Sequence, residues 1–187
     1  MSLLLHLNGP PGIGKSALAA RWADAHPGTL LLDVDALRTW VGGWREDFAA
    51  TGEVARPVAH AMVTAHLRGG RDVVLPQLLA DPAGQAGFER AAHAAGADVC
   101  SVLLRAPAAE VAARRAGRGD STPLARAVAG VVDGEGEQGP ALWISRLEAL
   151  TGQRPDLLDL DVGGLDEAAS LRALEHLVRR AVPGWGA

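Results

Sequence analysis

The run Gly9-Pro10-Pro11-Gly12-Ile13-Gly14-Lys15-Ser16 is the feature that most narrows the folds open to this chain. It matches G-x-x-x-x-G-K-[ST] and lies between the apolar stretch Leu3 to Leu7 and the helical Ala17-Leu18-Ala19-Ala20, where a strand turns into a helix. Gly9, Gly12 and Gly14 permit positive φ and let the backbone come close to an anion. The N–H groups of Gly12, Ile13, Gly14, Lys15, Ser16 and Ala17 then point inward at a helix start, where the dipole favours negative charge. Pro10 and Pro11 have no donor to offer and stiffen the entry. Lys15 can reach the β- and γ-phosphates of a nucleotide as a compact charge, and the Ser16 hydroxyl can ligate Mg²⁺.

Lysine usage sharpens this reading. Of the 18 basic residues, Lys15 is the only lysine and the rest are arginine, so a flexible ammonium is kept at the one position that needs it.

At 187 residues the chain is the length of one domain, able to bury a core without metals or disulfides. The single Cys100 lies in the apolar run Val99-Cys100-Ser101-Val102-Leu103-Leu104 and reads as a buried strand residue. His6, His26, His60, His66, His93 and His176 show no ligand-like spacing, which argues against a structural zinc. A net charge of −4 argues against a general nucleic-acid binder. The N-terminus has no basic start and no apolar run reaches about 18 residues, so neither a signal peptide nor a membrane span is expected, and the cytoplasm is the expected location. No motif sets an oligomeric state.

Along the chain, strands are expected at 3–8, 29–34, 71–76, 97–104 and 156–162. Helices are expected at 15–26, 54–67, 83–95, 108–118, 142–150 and 166–181, with an irregular segment at 41–52 and a loose tail at 183–187. This alternation argues for a single α/β domain with a mostly parallel sheet. Asp33 and Asp35 then fall at the carboxyl end of the second strand, the same sheet edge as the phosphate loop.

The phosphate loop, Asp33-Val34-Asp35 with Arg38, and Arg114, Arg115 and Arg118 before a Gly-rich segment together resemble the small P-loop kinases. That group includes shikimate and gluconate kinases, chloramphenicol phosphotransferase and polynucleotide kinases. The resemblance covers nearly the whole chain and implies a three-layer P-loop NTPase fold: a five-stranded parallel sheet in the order 2-3-1-4-5, helices on both faces and a mobile lid at about 115–138. It also implies ATP and Mg²⁺ as cofactors, Asp35 as the carboxylate that takes the acceptor's hydroxyl proton, and Asp33 as a holder of Mg²⁺ beside Ser16. The arginines Arg114 and Arg118, four apart and so on one helix face, would reach the transferring group when the lid closes.

The residues themselves add detail. Arg38 can hold a substrate anion or pair with Asp35 one turn earlier. Trp40 and Trp44, at helical spacing if the helix continues, can wall a ring-bearing substrate. The third strand ends in Pro76-Gln77 where a Walker-B strand carries an acid, which weakens a motor-type ATPase reading and leaves Gln77 as a substrate hydrogen-bonder.

The expected activity is ATP- and Mg²⁺-dependent phosphorylation of a hydroxyl on a small organic molecule, such as an antibiotic, nucleoside or sugar-like metabolite. A polynucleotide 5′-hydroxyl or toxin-like kinase is the alternative supported by Asp35-x-x-Arg38. A non-catalytic nucleotide-binding regulator is another, left open by the missing acid after Leu75.

Overall fold

The computed structural model describes residues 1–118, 122–133 and 139–186. Strand β1 (Leu3–Asn8) is buried along its whole length because helices cover both sheet faces. Its side chains alternate: Leu3, Leu5 and Leu7 enter one core layer and Leu4 the other. Strands β2 (Leu30–Leu31), β3 (Val73–Leu75), β4 (Asp98–Arg105) and β5 (Leu158–Asp161) complete a five-stranded parallel sheet of order β2-β3-β1-β4-β5. This is the expected order. β1 lies at its centre, with Leu5 in register with Val74 on one side and Cys100 on the other.

Helices α1 (Lys15–Ala25) and α8 (Glu167–Ala181) cover one face, where Leu18, Trp22, Leu174 and Val178 meet the odd-numbered β1 leucines. The other face carries α3 (Phe48–Arg68) and α4 (Pro82–His93), which contribute Ala55, Ala59, Val63, Leu67 and Phe88. All strands point their carboxyl ends to one edge, so the loop after β1 opens there, beside the segments after β2 and β3.

Four local features depart from the sequence expectations. β2 stops at Leu31 because Asp33 caps a short helix, α2 (Val34–Arg38), by accepting from the Ala36 N–H at 3.1 Å. The segment expected to be irregular holds the start of α3, where Asp47 caps Phe48 by accepting from Ala50 N at 2.9 Å; the helix carries Gly52 and Pro57 in its interior. The proposed lid contains a helix, α6 (Pro123–Asp133), opened by Thr122 Oγ1 accepting from Ala125 N at 3.0 Å; residues 119–121 and 134–138 of that stretch lie outside the described residues. Helices α5 (Ala108–Arg118) and α7 (Gly139–Gln153) flank it.

The tail is docked rather than loose. Trp185 stacks on Trp22 at 5.0 Å, and its indole N–H donates to Asp72 Oδ2 at 2.8 Å. Asp72 Oδ1 in turn accepts from Leu3 N, so the C-terminus clips the start of β1 to the start of β3. Among the described residues, no helix is long and apolar enough to cross a membrane.

Candidate functional site

The phosphate loop takes its shape from glycines in a backbone conformation that other residues rarely adopt. Gly9, Gly12 and Gly14 have φ of +144°, +91° and +106°. Space is short as well: a Cβ on Gly12 would lie 3.0 Å from Arg115 Cβ and 3.1 Å from the Val111 carbonyl, and one on Gly9 would lie 3.1 Å from the Leu104 carbonyl. Gly14 is the N-cap of α1 and has no side chain to cap it, so the first N–H groups of α1, those of Lys15, Ser16 and Ala17, are offered to an anion. Lys15 Nζ arches back over the loop and donates to the carbonyls of Gly9 at 2.8 Å and Pro10 at 3.1 Å. Ile13 is buried and anchors the loop's middle in the core below.

Arg114 ties the loop to its surroundings. Its guanidinium donates to the Ile13 carbonyl at 3.1 Å and to the Val162 carbonyl at 3.4 Å, and pairs with Glu110 one turn earlier. Glu110 also accepts from Gly164 N, so α5, the phosphate loop and the β5–α8 turn are bound as one unit. Arg114 thus touches the loop backbone. The side chain of Arg118 lies outside the described residues.

Asp33 and Asp35 diverge in role because they occupy different positions in α2. Asp33 spends Oδ1 on the cap of α2 and keeps its second oxygen. Asp35 lies inside the helix and accepts from Arg38 Nη1 at 3.0 Å. Burial raises the Asp35 carboxyl above the usual aspartate value; Arg38 pulls it down, Asp33 pushes it up, and Lys15 pulls it down. The carboxylates and the loop lysine therefore act on one another across the sheet edge. A hard cation would fit here, since the donors are oxygens: the Ser16 hydroxyl and the free oxygen of Asp33. Among the described residues, no group of three or more His, Cys, Asp or Glu could hold a metal by itself, so a metal would share its ligands with phosphate or water.

Arg38 is committed internally rather than held out for an anion. It donates to Asp35, to Thr51 Oγ1 at 3.3 Å and to the Phe48 carbonyl, and its guanidinium lies 3.6 Å from the Phe48 ring centroid. The start of α3 therefore holds the arginine that holds Asp35. The tryptophans do not pair as a helical wall. α2 ends at Arg38, so Trp40 and Trp44 share no helix face; Trp40 is 77% exposed, while Trp44 is half-buried at 6.4 Å from Phe48.

A buried polar layer under the loop escaped the sequence reading. Asn8 is fully buried: its amide donates to the Leu79 carbonyl at 2.7 Å, and its oxygen accepts from Gly9 N at 2.9 Å and Leu79 N at 3.2 Å. Gln85 donates to the same Leu79 carbonyl and accepts from Arg154, which is held by Glu89 and Asp156. His6 contacts the Gln77 carbonyl at 2.9 Å, and burial lowers its pKa to about 4, so it is neutral and Nε2 carries the donating proton. Gln77 Oε1 is buried without a hydrogen-bond partner at the end of β3. The only sequence signal for this layer is an asparagine directly before the first loop glycine.

An anion-binding loop on the central strand, with carboxylates two strands over at the same sheet edge, defines a P-loop nucleotide-binding domain of the kind built on the 2-3-1-4-5 sheet. The chain belongs to a known family of this class: residues 4–133 match the model described as AAA domain, over more than half of the chain. Among solved structures it is similar to the tunicamycin resistance protein of Deinococcus radiodurans (18% identity, 96% of this chain and 95% of that one, TM-score 0.63). It is also similar to a gluconokinase from Sinorhizobium meliloti 1021 (21% identity, 95% and 92%, TM-score 0.58) and to a further structure from Chloroflexus aurantiacus j-10-fl (16% identity, 97% and 98%, TM-score 0.63). At these identities the likeness is one of fold. No curated protein matches the sequence.

Proposed function

We propose that this protein is a kinase that carries the terminal phosphoryl group of ATP to a hydroxyl on a small organic molecule, with Mg²⁺ as cofactor. The observation that carries this reading is Asp35, a carboxylate raised by burial, oriented by Arg38 and within electrostatic reach of Lys15. In this reading the loop N–H groups and Lys15 bind the β- and γ-phosphates, and Ser16 with Asp33 would hold Mg²⁺. When bound, the ion neutralises charge on the phosphate oxygens. Asp35 keeps one oxygen on Arg38 and offers the other to the acceptor hydroxyl. As the O–H bond breaks toward Asp35, the new P–O bond forms and ADP departs. Arg114 steadies the loop through the Ile13 carbonyl, and with Arg118 would add positive charge beside the phosphates.

On the acceptor side, α6 packs against α2 and α3 with Leu124 and Val128, four apart, half-buried. With Trp44 beside Phe48, these residues favour an acceptor with an apolar face, and the orphaned Gln77 oxygen favours one with a second donor group. The gluconokinase and tunicamycin resistance neighbours point to sugar-like and antibiotic-related compounds for a first screen, with nucleosides beside them.

The test is phosphoryl transfer from γ-labelled ATP with Mg²⁺ across such a panel, with Asp35→Asn alongside. Transfer should fall by about 10²–10⁴ in Asp35→Asn while nucleotide affinity changes little. Undiminished turnover would remove Asp35 from its role. Nucleotide binding with no transfer to any acceptor would favour a regulatory nucleotide-binding protein, and transfer confined to oligonucleotides would favour a polynucleotide kinase.

A further inference from the structure

The outer face of the α3–α4 layer carries a cationic groove that the nucleotide and acceptor sites do not use. Arg56, His60, Thr64 and Arg68 recur every fourth residue along α3 and so form one stripe on its surface. α4 supplies Arg90 and the small residues Gly87 and Ala91, and the two helices enclose an open groove of about 510 Å³. Its floor is closely packed: a Cβ on Gly87 would lie 2.8 Å from His60 Cε1 and 2.9 Å from Nε2, so a larger residue there would push the imidazole aside. The ring also meets the edge of Phe88 at 4.5 Å, and its Nε2 is buried with no hydrogen-bond partner.

The charges in this groove are uncompensated. Among the described residues neither Arg56 nor Arg90 forms a hydrogen bond or an ion pair, and Arg68 donates only to the Ala94 carbonyl at 3.2 Å. The one carboxylate of α4, Glu89, is held by Arg154. Burial lowers the His60 pKa, Arg56 and Arg90 lower it further, and no acidic group acts in the other direction. In a chain of net charge −4, a groove with Arg68 and Arg90 on its walls and Arg56 one turn before His60 leaves positive charge for a ligand to neutralise.

We propose that the α3–α4 groove is a second anion site, which takes the phosphate group of a small phosphorylated compound between Arg56 and Arg90, with His60 beneath it. Guanidinium groups suit phosphate oxygens through paired N–H donors, and a protonated His60 would add a donor from below. The site is separate from the catalytic edge. His60 lies nine residues beyond Thr51, about 13 Å along the helix axis, so its occupant does not touch Asp35 or the phosphate loop.

The experiment follows the His60 ring proton signals of the full-length protein by NMR through a pH titration. It is run in chloride, in inorganic phosphate and in glycerol phosphate at matched ionic strength. An anion between the arginines must favour the imidazolium, so the His60 midpoint should rise by about 1 pH unit, saturably. His93 and His176 should not move with it, and the rise should vanish in the Arg56→Gln/Arg90→Gln pair. Saturation by inorganic phosphate alone would make the ligand free phosphate; tighter saturation by glycerol phosphate would make it an organic ester. A His60 midpoint that does not move in either salt, or that rises equally in the Arg56→Gln/Arg90→Gln protein, overturns the proposal.

Discussion

Replacing Gly12 by Ala isolates what the phosphate loop demands of its backbone. Gly12 has φ +91°, where an L-residue is disfavoured by roughly 1–2 kcal/mol. The new methyl would also meet Arg115 Cβ at 3.0 Å and the Val111 carbonyl at 3.1 Å, both on α5. Backbone carbonyls do not swing aside, so the loop or the helix must shift, and overpacking of this kind costs about 1–3 kcal/mol. The sum is roughly 2–5 kcal/mol, which for a domain of this size lowers Tm by roughly 5–15 °C. Gly130→Ala is the matched control. Gly130 lies within α6, has no positive φ and has nothing within 4 Å of the position its new methyl would take, so alanine there should stabilise by about 0.5–1 kcal/mol. Thermal unfolding followed by circular dichroism, with and without Mg²⁺ and ATP, reads both variants. Gly12→Ala should unfold earlier and lose most of the nucleotide-linked stabilisation, which for wild type is about 2.7 kcal/mol at a hundredfold excess over Kd. Equal stability of the Gly12→Ala and wild-type proteins would refute the steric reasoning.

Further outcomes follow from the polar contacts. Arg38→Met removes the influence that most opposes the rise of the Asp35 pKa, so the acid limb of kcat/KM should move to higher pH, with a larger loss of rate at pH 6 than at pH 8; an unmoved limb would mean that Asp35 is not the titrating base. Because the Asp35 pKa is already raised in the folded state, ionising it costs stability as pH rises through that value, a cost absent below the ordinary 3.8; Asp35→Asn should therefore gain stability relative to wild type as pH increases, measured by urea unfolding from pH 4 to 8. Asn8→Ala strands Gly9 N and Leu79 N in the core, leaves the Leu79 carbonyl to Gln85 alone, and should cost about 2–4 kcal/mol, with a drop in kcat larger than the change in nucleotide KM. Trp185→Ala should cost about 2–3 kcal/mol and change the fluorescence of the buried Trp22, whereas a tail without a structural role would leave both unaltered.

The sequence by itself determined the framework. A phosphate loop between an apolar run and a helix, followed by alternating strand and helix patterns, leaves few arrangements open, because parallel strands with right-handed crossovers admit only a handful of orders. The loop glycines were legible for the same reason: their freedom is a property of the residue and shows in the spacing. So was the clustering of Asp33 and Asp35 at the loop's edge, since parallel strands deliver all their carboxyl ends to one side. What those carboxylates do was decided by tertiary structure. Asp33 became a cap because the chain turns after Leu31, and Arg38 was taken up by Phe48 and Thr51, ten and thirteen residues away, on a helix whose start is obscured by Gly52. The layer from Asn8 through Leu79 and Gln85 to Arg154, the docking of Trp185, and the meeting of Arg56 and His60 with Arg90 all join residues distant along the chain. Periodicity and local spacing report which face of an element is apolar; they carry no record of which polar groups from separate elements will share one buried or concave space.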